Sequence, residues 1–155
     1  MNKQLDLKEL IPIMKEQLDR GKPVSFVPNG RSMEPMRDGG KDMIILSKPK
    51  GRLHLFDVAL YYRRETDRYI VHRVVGFKKD GSYVMLGDNN IEREYGIRDE
   101  DIIGVVTNYY HKGSMRSVTS MRYRFYCNYR YYTRPLRLVY RRTRAGLSKR
   151  INKDD

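Results

Sequence analysis

The chain has 155 residues, 39% of them hydrophobic, a mean hydropathy of −0.75 and a formal net charge of +13, which allows a single domain with a real core beneath a very polar surface. No window approaches roughly 18 uninterrupted apolar residues, and the opening "MNKQLDLKELIPIMKEQLDRG" holds no secretory apolar stretch, so neither a membrane-spanning helix nor a signal sequence is expected. A lone cysteine, Cys127, excludes an internal disulfide and fits a reducing compartment; the expected location is the cytoplasm, with peripheral binding to the inner face of the membrane as its variant.

Residues 5–19 predict a helix, because Leu7, Leu10, Ile11, Met14 and Leu18 recur at three- and four-residue spacing. Asp6 suits its cap and Gly21 its stop, while Pro12 is expected to shorten or kink it. Residues 1–21 thus form an N-terminal helical segment. Six short β-rich runs follow: "VSFV" (24–27), "MIIL" (43–46), "VALYY" (58–62), "YIVHRVV" (69–75), "YVML" (83–86) and "IIGVV" (102–106). Each is bounded by Gly, Pro, Asp or Asn, so residues 22–110 predict a small, mostly antiparallel β-domain.

Residues 111–155 are expected to form a basic Arg/Tyr-rich tail, helical in part and broken near Pro135. The charge divides accordingly: residues 1–101 carry 19 Lys and Arg against 17 Asp and Glu, and residues 102–155 carry 13 against 2. Met121, Phe125, Tyr129, Tyr132, Leu136 and Val139 fall on one helical stripe. Three readings of residues 116–150 stand side by side: phosphate neutralisation and base stacking on nucleic acid, an amphipathic contact with an anionic membrane surface, or a helix packed on the β-body by that stripe. The favoured expectation combines packing on the body with peripheral membrane or peptide contact.

The chemistry-bearing residues are few. Ser32 lies in "GRSMEP" (30–35), between glycine- and proline-marked bends, as either a turn serine or a nucleophile awaiting a base. His72 shares a strand face with Ile70 and Val74, where an imidazole must find a polar partner; it is either a satisfied core histidine or that base. "GDNNIERE" (87–94) offers Asp88, Glu92 and Glu94 to orient it, as a general-base mechanism requires. Arg73 alternates to the opposite face and reads as structural, and His54 and His111 read as surface residues.

In order along the chain, "GRSMEP", "FDVALY" (56–61), "IVHRVV" (70–75), "GDNN" (87–90) and "IIGVV" resemble the superfamily that joins type I signal peptidases to LexA-like repressor peptidases. The likeness spans roughly residues 22–108. It implies the β-body of that fold, Ser32 as nucleophile and His72 as base, as in the histidine branch found in endoplasmic-reticulum-type, archaeal and sporulation-type signal peptidases. That branch places an aspartate shortly after GDNN; an ungapped count puts Glu94 there, with Glu92 nearby and Asp88 as the other acid. Gly30 stands where some signal peptidases carry a side-chain oxyanion donor, so the implied oxyanion and substrate cleft is the backbone of Gly30, Arg31, Ser32 and Met33. Asp57 would organise the start of its strand.

The resemblance implies no metal and no cofactor, and a peptide or protein substrate held as an extended strand with small side chains at the scissile bond. Two departures are the missing transmembrane anchor and, on the LexA side, too few residues before the β-body for a DNA-binding domain. The function expected is therefore a Ser-His serine endopeptidase. The alternatives are a catalytically inactive peptide-binding or regulatory module, and a nucleic-acid-associated regulator acting through the tail. Self-cleavage at Ala145–Gly146 is a minor expectation.

Overall fold

The structure is a computed structural model that describes residues 7–36, 41–137 and 139–140. Asp6, the Ala145–Gly146 bond and the tail from residue 141 lie outside the described residues. The chain divides into two compact units, Met1–Ser120 and Met121–Asp155.

Helix α1 (Leu7–Asp19) buries Ile11, Met14 and Leu18, the positions its periodicity marks. It runs through Pro12, where a kink or early stop was expected. Proline removes one backbone bond at a cost of about 3 kcal/mol, whereas burying three large side chains contributes about 1.5–3 kcal/mol each, so packing wins. The C-terminus closes on Gly21 at φ +75°, with Gly21 N–H donating to Leu18 O (2.9 Å) and Lys22 N–H to Gln17 O (3.0 Å). This paired bonding answers the last carbonyls of the helix.

The first unit is a curled, half-barrel antiparallel sheet. Its strands are β1 (Val24–Phe26), β2 (Ile44–Ser47), β3 (Val58–Arg63), β4 (Arg68–Phe77), β5 (Tyr83–Leu86), β6 (Glu94–Ile97), β7 (Ile102–His111) and β8 (Ser114–Ser117). They run in the order β1-β2-β7-β3-β4-β5-β6, with β8 paired to β7. The expected fold class, mostly β with an N-terminal helix and a helical C-terminal segment, is the one observed. All six expected strands are present. β6 and β8 were not expected: "EYGI" carries a left-handed glycine (Gly96, φ +79°), and "SMRS" is almost wholly exposed and has no apolar alternation. Because β7 and β8 form a hairpin, residues 111–120 belong with the β-body rather than with the tail. His111 ends β7 with its Nδ1 2.7 Å from Asp42, half-buried rather than on the surface.

Ala59, Tyr61, Val74, Tyr83, Met85 and Ile97 form the core of one sheet face, with Leu53 beneath them. α1 seats Leu18 against β7 at Gly104, where a Cβ would meet Leu18 Cδ1 at 3.2 Å and Leu46 Cβ at 3.3 Å. A side chain there would have to push both neighbours back by a few tenths of an ångström, so the close approach favours glycine.

In the second unit α2 spans Met121–Tyr132 and buries Tyr123 and Cys127. The stripe expected to pack inward is exposed instead: Met121 78%, Phe125 77%, Tyr132 74%. Tyr129, Leu136 and Val139 are exposed with it. Tyr123 and Cys127 lie on the other side of the helix, so this second face is the one removed from solvent. The regular helix stops three residues before Pro135, as its ring requires, and a further helical turn follows.

Candidate active site

β4 carries His72 to the middle of the sheet, paired with Ala59 of β3. Alternation puts Ala59, Tyr61 and Arg63 on the same face as His72. Strand β6 reaches that face through the register Met85↔Glu94, next to Val74↔Met85. The curl of the sheet then lets side chains from β3, β4 and β6 converge, although β5 separates β4 from β6.

At the point of convergence, His72 Nδ1 lies 3.2 Å from Tyr61 Oη and 3.4 Å from Glu94 Oε1. Tyr61 donates its hydroxyl proton to Glu94 Oε2, and Arg63 Nη1 stands 3.2 Å from Glu94 Oε1. His72 and Glu94 are 3% and 9% exposed, so neither group's charge is answered by bulk water. Burial alone would raise the Glu94 carboxyl; hydrogen bonds from His72 and Tyr61, with the charges of His72 and Arg63, outweigh it and hold the group below its ordinary range. Burial first, then the bond to Glu94, pushes the Tyr61 hydroxyl far upward, so it stays a neutral donor. With that proton committed to Glu94, Tyr61 Oη presents a lone pair to Nδ1. Nδ1 therefore carries the imidazole proton, and Nε2 is left as the basic nitrogen.

Nε2 faces the "GDNN" turn, with Asn90 Nδ2 at 3.4 Å. The same turn holds the serine loop: Asn89 N–H donates to Ser32 O (2.7 Å) and Asn89 Nδ2 to Arg31 O (3.2 Å). Gly87 sits where these parts meet. A Cβ there would stand 2.7 Å from Ser32 O and 2.8 Å from His72 Nε2, so the serine loop and the imidazole are close neighbours across a missing side chain. No hydrogen bond joins the Ser32 and His72 side chains among the described residues. Ser32, His72, Asn90, Glu94 and Arg63 line one cleft of about 800 Å³.

Of the acids the sequence offers, Glu94 is the one on His72. Glu92 is exposed. Asp88 is not an orienting acid: its two oxygens take Arg73 Nε and Nη2, both at 2.7 Å, with each side chain 4% exposed. It makes no bond to His72 among the described residues. The reason is alternation, which turns Arg73 and Asp88 together to the face opposite His72. Arg73 also donates to Phe56 O (3.1 Å) and contacts Met36 Sδ (3.4 Å), so the pair fastens β4 to the GDNN turn and to the end of the serine loop. Asp57 accepts from His54 N–H (2.8 Å) and from Val74 N–H through its carbonyl (2.8 Å), which fixes the start of β3 as expected.

Within the serine loop Gly30 takes φ +91°, Arg31 pairs with Glu34 at 2.9 Å, and Met33 is buried in the interior. Only Ser32 of that group lines the cleft. Sequence reasoning passed over Tyr61, Arg63, Gly87 and the two asparagines as site parts. Tyr61 had a readable signal, since a tyrosine on a core strand face must find a partner for its hydroxyl.

No group of three or more His, Cys, Asp or Glu residues arranged to hold a metal occurs among the described residues. No helix among them is long and apolar enough to cross a membrane. No model of a known protein family matches the chain, and a search of curated proteins finds no significant relative.

Proposed function

We propose that the protein is a serine endopeptidase in which Ser32 is the nucleophile, His72 the general base and Glu94 the acid that orients it. The observation that carries this reading is the two-sided engagement of one buried imidazole. Nδ1 is held by Glu94 and Tyr61, while Nε2 faces the loop bearing Ser32. Ser32 Oγ turns onto Nε2 when substrate enters, since catalytic hydrogen bonds are commonly loose without it. Nε2 then takes the hydroxyl proton as Oγ attacks the peptide carbonyl. The imidazolium is stabilised by ionised Glu94, and backbone N–H groups at Ser32 hold the developing oxyanion. Nε2 returns the proton to the departing amine, and water activated by the same nitrogen releases the acyl group. The substrate would be a peptide or protein strand, and the single buried Cys127 favours a cytoplasmic setting. The tail would supply contact with a polyanionic partner.

The missing Ser32–His72 hydrogen bond favours a second reading, a cleft that binds a peptide without cutting it. A fluorophosphonate probe separates the two. The expected result is labelling of Ser32 in the folded protein, abolished in Ser32→Ala and reduced about a hundred- to ten-thousandfold in His72→Ala. Folded protein that takes up no label at Ser32 overturns the peptidase reading.

A further inference from the structure

The face of α2 turned to solvent is the wrong one for a solitary helix. Met121, Phe125, Tyr129 and Tyr132 follow one another at four, four and three residues, and Leu136, Val139 and Tyr140 continue the row; all seven are exposed. A contiguous apolar row of this kind marks a surface that is covered in use. Residues 121–140 include five arginines (Arg122, Arg124, Arg130, Arg134, Arg137) and no acid, and Arg122 and Arg124 are exposed beside the row. The sequence beyond adds Arg141, Arg142, Arg144, Lys149, Arg150 and Lys153 before the first acid at Asp154.

We propose that this helix docks on an anionic lipid surface, its row of Met, Phe and Leu side chains entering the acyl boundary. Its tyrosines would sit at headgroup level and its arginines on lipid phosphates. Charge selects an anionic partner, and the apolar row selects lipid among anionic partners. Met121, Phe125, Leu136 and Val139 offer nothing to a nucleic-acid backbone, and the two exposed arginines of α2, Arg122 and Arg124, flank the row rather than lying along it. The tyrosine ring, apolar in body and polar at its tip, suits the boundary between the two media.

This inference does not rest on the peptidase reading. The full-length protein is sedimented with phosphatidylcholine vesicles that contain or lack phosphatidylglycerol. Binding is expected only to the anionic vesicles and is expected to weaken with salt. Phe125→Asp lowers the partition coefficient by at least about tenfold, and Arg122→Gln and Arg124→Gln by about fivefold each. Circular dichroism confirms that each variant folds, and probe labelling of Ser32 on the same samples reports separately on the cleft. No sedimentation with either vesicle overturns the proposal, as does binding that Phe125→Asp leaves unchanged. Displacement from vesicles by a single-stranded oligonucleotide whose own binding survives Phe125→Asp assigns the tail to nucleic acid and overturns it equally.

Discussion

The two units treat the same residue types in opposite ways. In the β-body most of the large apolar side chains are inside, and the polar groups among them are engaged in pairs: Arg73 with Asp88, His72 with Glu94 and Tyr61, His111 with Asp42. In α2 one tyrosine and one cysteine are buried, while a methionine, a phenylalanine and two further tyrosines face water. An interior that has partners for its charges is built to hold a geometry. A helix that displays its apolar side chains is built to give them to something else. The comparison also works within the body, where two buried carboxylates one turn apart do different work: Asp88 fastens the scaffold and Glu94 addresses the imidazole.

The largest effect should come from breaking the fastening pair. Asp88→Asn leaves a buried guanidinium without its counter-charge, at a cost of about 3–5 kcal/mol and a fall in Tm of about 10 °C. Thermal unfolding followed by circular dichroism measures it. A variant as stable as the parent would mean that Arg73 finds another acceptor and that Asp88 is no fastener.

Next comes Gly87→Ala. Gly87 is not among the left-handed glycines, so its backbone conformation does not demand glycine; the conflict is with Ser32 O and His72 Nε2, both under 3 Å from the added methyl. Overpacking of this kind costs about 1–3 kcal/mol, and relief requires the serine loop to move away from the imidazole. Probe labelling of Ser32 should therefore fall by much more than stability does. Equal losses in both would place Gly87 with the scaffold and not at the site.

These two positions show how much the sequence could reveal. The β-runs are legible because alternation and turn residues bracket them, and His72 is legible because an imidazole on an apolar face is an anomaly. The assignment of Asp88 and Glu94 is not legible, since it depends on register. The bulge between β5 and β6 decides that Glu94 comes opposite Met85 and so onto the imidazole's face, by shifting the alternation one residue. β6 itself was hidden by its glycine, so the strand that delivers Glu94 could not be seen. The role of Tyr61 is not legible, because which acid its hydroxyl reaches depends on the sheet's curl. For the tail, periodicity gave the apolar row correctly but not its direction. A stripe of this composition reads the same whether it packs inward or faces out.

A gentler effect separates Glu94 from Asp88 by pH. The Glu94 carboxyl is held below its ordinary 4.5, so it contributes stability that is present above that value and lost as pH falls through its lower folded value. Glu94→Gln removes this contribution. Between neutral pH and about pH 3 the parent should therefore lose more stability than the variant does, read as urea midpoints at each pH. Parallel curves would mean that the His72–Glu94 contact does not hold the carboxylate in its charged form.

The smallest effect is the one that tests the opposite treatment of the two units most directly. Phe125 is 77% exposed, so Phe125→Ala should change unfolding stability by no more than about 0.5 kcal/mol, whereas burial would make the same truncation cost about 3–5 kcal/mol. The measurement is a urea midpoint in buffer and again with anionic vesicles present. In buffer the parent and variant should coincide. With vesicles the parent should gain more than the variant, because a surface that binds the folded helix adds stability by mass action and the variant has lost one of the side chains that enter it. A variant already destabilised in buffer would show that Phe125 supports the fold, and the row would then be part of a core rather than a face kept for lipid.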